Sequence, residues 1–180
     1  MLALPDATLR EVRASDAHSL FALLTAPEVT RFIAPPAQTL KGFAQFIAWS
    51  CAKRAAGEHV CFGILPRGSS AAVGLIQICA APGKPPQLGG VLGSAFWGSG
   101  LFRASVDAVL DFAFHEMGLT RVSAFSAVAN TRGNAALRKM GAVLKARLPA
   151  GPERSADEYY WVLTLGDRRR AGYRIAGGRP

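Results

Sequence analysis

The residues with the plainest chemical meaning are Gly98 and Gly100, in the run FWGSGLFRASVDAVLDFAFHEMG between Phe96 and Gly118. Two glycines one residue apart let the backbone turn its N–H groups outward and let a ligand come close. An amphipathic pattern starts directly behind them. Val106, Leu110, Ala113 and Met117 recur at helical spacing, with Asp107 and Asp111 off that face. The helix adds the positive end of its dipole to the outward amides, which suits a phosphate or pyrophosphate. Gly118 supplies the stop. A tight strand-to-helix turn with nothing bound has the same glycine pattern, so the turn alone leaves both readings open. Two familiar phosphate loops are excluded. The dinucleotide fingerprint requires a third glycine where this chain has Arg103. The P-loop needs Gly-Lys followed by Ser or Thr, a run this chain lacks.

Such a turn needs a strand before it and neighbours to hold it. Residues 8–12 read as a first strand, and Asp16 is placed to cap a helix running to about residue 25. Pro35 and Pro36 break the chain. Thr39 then caps a long helix over 40–56, ended by Gly57. Residues 59–65 and 72–79 read as two strands joined by the turn PRGSS. The loop APGKPP leads to a short strand over 88–92 containing Gly89 and Gly90, and the glycine turn follows. A strand over 121–128, a short helix over 131–140 and strands over 142–148 and 159–165 complete the order. Strands grouped ahead of a βαβ unit predict an α+β fold, a mixed sheet with helices on both faces. Ligand is then expected where the glycine turn leaves its strand, at the C-terminal edge.

Composition agrees with a single folded domain. The chain has 180 residues, half of them hydrophobic and 18% charged, which suits a sizeable core and excludes a disordered polyelectrolyte. No apolar run is long enough to span a bilayer. The first residues, MLALPDATLREVR, lack a basic segment followed by an apolar one, so no signal peptide is read and a cytoplasmic location is expected. Cys51, Cys61 and Cys79 are too few and scattered for a disulfide framework or zinc site, and reduced thiols are expected. The net charge is +9, of which the arginine-rich stretch from Gly166 carries +4. The domain is read as residues 1–166 and the basic tail as 167–180. A basic balance favours an anionic ligand. No nucleic-acid module accompanies the tail, which is expected to be solvated and not to bind nucleic acid.

Three stretches in order resemble the GNAT superfamily of acetyl-CoA-dependent N-acetyltransferases, in its RimJ/RimL-like branch. The turn from Trp97 to Phe102 is similar to the CoA loop Q/R-x-x-G-x-G/A. The run HEMGLTRVSAF follows, and then NTRGNAALRKMGA, similar to N-x-x-S-x-x-x-L-x-K-x-G-F. The resemblance covers nearly the whole chain. It implies a mostly antiparallel seven-stranded sheet, about four helices, and a parallel, splayed strand pair at the CoA site. It implies no metal. Backbone amides of Gly98, Ser99, Gly100, Leu101 and Phe102 would hold the pyrophosphate, with Trp97 and Arg103 flanking them. Val91 and Leu92 would run beside the pantetheine. Asn130 would hydrogen-bond the pantetheine or position the acetyl group, or cap the following helix, and the cap position and the ligand cleft coincide there. Asn134 would face the adenine end or cap locally. The chain departs from the pattern at Trp97, at Phe102 in place of a small residue, and at Gly133 in place of a serine. It also has Gln87 where the branch often has a glutamate, and an amide cannot take a proton as a carboxylate does.

The implied chemistry is direct attack of a primary amine on the thioester, with the amine first losing a proton. Gln87 would position a water. Glu153, in the loop between the last two strands, is the candidate base, and Tyr159 the candidate acid for the departing thiolate. His18, His59 and His115 are given no catalytic part. The acceptor is expected to be a protein N-terminus or a small amine, and a homodimer is allowed. Two alternatives stand beside this one. One is an acyl-CoA-binding regulatory module with little turnover, motivated by Gln87 and Gly133. The other is a small-molecule acetyltransferase for a polyamine or antibiotic.

Overall fold

A computed structural model describes residues 1–33, 39–152 and 154–170, with Arg169 described in its backbone alone. The chain forms eight strands and six helices among these residues: β1 (Leu2–Ala3), β2 (Ala7–Glu11), α1 (Ala17–Leu24), α2 (Pro27–Thr30), α3 (Leu40–Ala55), β3 (His59–Pro66), β4 (Gly74–Cys79), β5 (Gln87–Leu92), α4 (Leu101–His115), β6 (Arg121–Ala127), α5 (Thr131–Lys139), β7 (Val143–Leu148), β8 (Glu158–Thr164) and α6 (Leu165–Arg170). One sheet holds all the strands in the order β1-β2-β3-β4-β5-β6-β8-β7. Every neighbouring pair is antiparallel except β5 and β6, which run parallel. The mixed α+β class follows the sequence pattern, and the seven expected strands are present with β1 as an eighth. Two residues at the start of the chain carry no alternation from which β1 could be read.

The sheet is buried on both faces through its centre. β3 has seven buried residues in a row, His59 to Leu65, the pattern of a strand covered on two sides. Val60, Phe62 and Ile64 point to one core, shared with Val106, Val109, Leu110 and Ala113 of α4 and Leu137 of α5. Cys61 and Leu65 point to the other, shared with Leu20 and Leu24 of α1, Val29 of α2 and Phe43 and Ile47 of α3. Burial pushes the Cys61 thiol up to about 12. The helical stripe read around Val106, Leu110 and Ala113 is therefore the buried face of α4. Thr39 caps α3 as expected, its Oγ1 accepting from the Gly42 N–H at 3.0 Å.

Two expectations change. Asp16 precedes α1 but does not cap it. Its carboxylate takes two 2.7 Å hydrogen bonds from Arg10 and one of 2.8 Å from the Arg13 N–H. Burial pushes that carboxyl up, and the hydrogen bonds and charge of Arg10 and Arg13 overcome it, holding Asp16 below the usual range. Arg168, placed by composition in a solvated tail, is 2% exposed. It sits on α6 and pairs with Asp107 at 3.1 Å and Asp111 at 3.0 Å on α4. The two aspartates off the apolar stripe of α4 thus dock α6. Residues 171–180 lie outside the described residues.

Candidate active site

β5 and β6 share a single register pair, Gln87 with Ser123. Ser123 fastens the vertex further, its N–H and its hydroxyl both donating to the Pro86 carbonyl at 2.7 and 2.8 Å. Beyond that point the two strands part. β5 stays paired with β4 from Gln87 to Leu92, so its other edge faces an open wedge. The wedge is a cleft lined by Leu88, Gly89 and Gly90 of β5, Ala124, Phe125 and Ser126 of β6, Phe102 and Val106 of α4, and Asn130, Gly133, Leu137 and Met140 around α5, with Phe32 at its far side.

The glycine turn follows β5 and leads into α4, whose Phe102 lines the cleft. Gly98 has φ +80° and Gly100 φ +81°, the left-handed region that glycine alone enters without strain. No heavy atom lies within 4 Å of where a Cβ would stand on either, so backbone conformation requires these glycines and the surface beside them is open. Gly100 ends the turn with no side-chain cap on α4. The first amides of a helix lack internal partners. Ser99 Oγ takes that of Leu101 at 3.2 Å while donating to the Phe96 carbonyl at 2.7 Å. Trp97 is anchored by its indole N–H on the Leu92 carbonyl at 2.9 Å. The Arg132 guanidinium of α5 lies 4.2 Å from the Trp97 ring centroid, so a cation–π contact spans the mouth between the two limbs.

Asn130 stands at the N-cap of α5, its Oδ1 accepting from the Gly133 N–H at 2.9 Å. A Cβ on Gly133 would lie 2.6 Å from the Asn130 amide nitrogen. Glycine at 133 is thus the residue that lets Asn130 fold back over the helix, which accounts for the missing serine. A Cβ on Gly90 would meet Ile76 Cδ1 at 2.6 Å and the Phe102 ring at 3.2 Å. The bulk gained at Phe102 lies over the strand position that has none. Ser126 Oγ is buried and has no hydrogen-bond partner, an orphan in the wall of a cleft.

The remaining sequence candidates separate. Asn134 is buried. It donates to the Ala127 and Val128 carbonyls at 3.0 and 3.3 Å and accepts from Trp161 Nε1 at 3.2 Å. It locks α5 to β6 and β8, with both amide hydrogens engaged within the protein. Val91 packs against the α1–α3 core, and the Leu92 side chain lies in the α4 core. Arg103 reaches along α4 to Asp107 at 2.9 Å. Burial pushes the Asp107 carboxyl up against the pull of Arg103 and Arg168. Gln87 is exposed at the vertex, outside the cleft lining. Tyr159 packs on the core edge-to-face with Trp161, ring centroids 6.0 Å apart, and is likewise outside the lining. Glu153 lies outside the described residues. His115 and His18 are exposed. His59, which sequence context left without a role, is buried. Its Nδ1 lies 2.9 Å from Ser50 Oγ and its Nε2 3.1 Å from Gln77 Oε1. Sequence gave no signal for Ser126, for Arg132 on Trp97, or for Phe125 against Tyr160, because each depends on elements far apart in the chain.

Among the described residues no cluster of three or more His, Cys, Asp or Glu could hold a metal ion, and no helix is long and apolar enough to cross a membrane. No curated protein sequence matches the chain. Solved structures share its fold at low identity. An acetyltransferase of the GNAT family from Bacillus anthracis superposes with TM-score 0.77 at 20% identity, covering 91% of this chain and 97% of that one. The ribosomal-protein-S5-alanine acetyltransferase from Vibrio fischeri gives 0.80 at 16%, with 91% and 95% covered. RimJ from Mycobacterium smegmatis, in complex with CoA-disulfide, gives 0.77 at 19%, with 89% and 83% covered. The acetyltransferase (GNAT) domain model matches residues 6–143. With most of the chain inside that match, the chain belongs to the GNAT acetyltransferase family.

Proposed function

We propose that the chain transfers an acetyl group from acetyl-CoA to a primary amine by direct attack. The observation that carries this is the wedge between β5 and β6, together with the left-handed Gly98 and Gly100 in the turn that follows β5 and leads to Phe102 of the cleft wall. The turn offers outward backbone amides and the N-terminus of a 15-residue helix to a pyrophosphate. The unpaired edge of β5 offers a strand's worth of backbone groups to the two amides of a pantetheine arm. Asn130 and the orphan hydroxyl of Ser126 are the polar side chains of the cleft wall placed to meet that arm.

A neutral amine then attacks the thioester carbon. The oxyanion that forms is stabilised by a β5 N–H facing the wedge, and it collapses with loss of the thiolate. Holding the two reactants in one cleft supplies much of the acceleration. No carboxylate lines the cleft among the described residues, so the ammonium proton leaves to water at the open mouth. By likeness to the ribosomal-protein acetyltransferases, the acceptor is taken to be an amine at the start of a polypeptide or a small amine of similar shape.

Two measurements test this. Calorimetric titration of the full chain with acetyl-CoA should give one site per chain. Release of free thiol should then depend on an added amine. Absence of acetyl-CoA binding would sink the proposal. Binding without turnover across peptides and small amines would leave a CoA-binding module.

A further inference from the structure

The cleft does not stop at the donor side. Leu88, Val106 and Leu137 line it on the α4 and α5 face, while Phe32 and Phe125 line it on the opposite face. It therefore passes through the sheet where β5 and β6 part, and whatever a donor carries at its tip emerges on the second face. Helices α1, α2 and α3 build their core there over β3 and β4. Beyond the cleft the same face continues onto β6, β8 and β7, where register sets Phe125 beside Tyr160 and Val162 beside Val143.

That continuation has an apolar, open centre. Phe125 is 39% exposed and Phe32 36%, and the Phe125 ring centroid lies 5.1 Å from that of Tyr160. Adjoining aromatics left to water at the exit of an internal cleft mark a binding surface. No carboxylate lines the cleft among the described residues, and the Arg31 guanidinium lies 5.2 Å from the Phe32 ring centroid. Register sets Glu158 beside Ala127 and Arg121 beside Thr164 on the same face, so the aromatic shelf lies between charges of both signs.

We propose that the acceptor is a primary amine borne next to an aromatic or bulky apolar group, and that this group rests on the Phe125–Tyr160 shelf with Phe32 at the rim. The inference rests on the acetyl-transfer reading and names its acceptor class. Two sources carry this chemistry: a peptide beginning with an aromatic residue, and a free arylalkylamine.

Binding is measured first because it needs no turnover. Saturation-transfer NMR on the full chain uses phenethylamine, the amide of the dipeptide Phe-Ala, and spermidine. The two aromatic amines should bind, and spermidine, which has no aromatic group, should bind at least about tenfold more weakly. Phe125→Ala and Tyr160→Ala should each weaken the aromatic amines, by about tenfold for one lost aromatic contact. Tyr160→Ala, outside the cleft lining, should leave the affinity for CoA unchanged. With acetyl-CoA added, mass spectrometry of the products tells the peptide source from the free amine, and KM should rise in Tyr160→Ala while kcat holds. The proposal is overturned if spermidine binds or is acetylated as well as the aromatic amines. It is also overturned if neither variant weakens them, or if sedimentation shows a dimer that Phe125→Ala dissolves. Loss of acetyl-CoA binding in the unaltered chain would overturn the acetyl-transfer reading instead, and the amine-binding measurement would still decide the shelf.

Discussion

Asn130 has two tasks, and Gly133 allows them to be separated. As N-cap its side chain satisfies the Gly133 N–H at 2.9 Å, a contact whose loss to alanine costs about 1 kcal/mol. As a cleft residue it stands where the pantetheine would run. Gly133 sits inside α5, where glycine is worse than alanine by roughly 1 kcal/mol, and only the Asn130 amide forbids a Cβ there. Asn130→Ala alone should therefore lower stability by about 1 kcal/mol. Adding Gly133→Ala should return most of it, since the clash has gone and the helix gains a better former. Acetyl-CoA affinity should stay reduced in both. Chemical denaturation beside calorimetry checks this, and recovery of affinity along with stability would reduce Asn130 to a cap.

At the scale of elements, the seam between α3 and the sheet has a pH dependence. Ser50 of α3, His59 of β3 and Gln77 of β4 form one hydrogen-bonded chain, with Trp49 and Phe46 packed against the imidazole. Facing the Gln77 carbonyl oxygen, Nε2 must carry the proton, and Nδ1 accepts from Ser50. Burial lowers the His59 pKa below its ordinary 6.5, more than the hydrogen bonds from Gln77 and Ser50 raise it. The folded protein thus holds a neutral imidazole. Above about pH 6.5 both states are neutral and the contribution to stability is whole. As pH falls below that value the unfolded chain takes up a proton that the folded one refuses, and stability declines until the lowered folded pKa is passed. Melting temperature should fall as pH drops below about 6.5 in the unaltered chain and more gently in His59→Gln. Equal slopes would remove His59 as the cause.

The same scale shows what the sequence made legible. α3, α4 and α5 could be read because each carries an apolar stripe, a cap such as Thr39 or Asn130, or a glycine stop. The turn at Gly98 could be read because conformation demands glycine there. Four residues of α2 are too few for a period, and α6 is too polar for one. Arg168 is buried by Asp107 and Asp111, which lie far back in the chain. Its neighbourhood of arginines carried no trace of that. The proposed aromatic shelf was not legible, since Phe32, Phe125 and Tyr160 come from three stretches far apart in the chain.

At the scale of the molecule, the sheet is two halves joined along β5 and β6 by one register pair and the Ser123 bonds to Pro86. Arg132 on Trp97 is a further strap across the opening. A ligand filling the wedge would touch both halves and vanish on unfolding, so it should stabilise the whole fold. At a concentration 100 times its Kd the gain is about 2.7 kcal/mol. For a chain of this size that raises Tm by roughly 6–10 °C. Gly100→Ala is the paired test. Its φ of +81° strains any other residue, while nothing stands within 4 Å of the added methyl, so its cost is backbone strain of about 1–2 kcal/mol. Without ligand its Tm should drop by several degrees, consistent with that strain. Its rise with saturating CoA should shrink further, because relaxing the strain turns the loop amides away from the pyrophosphate. Scanning calorimetry of both proteins with and without CoA reads all four values. If the ligand-induced rise were the same in the variant, the turn from Gly98 to Phe102 would not be where the pyrophosphate binds.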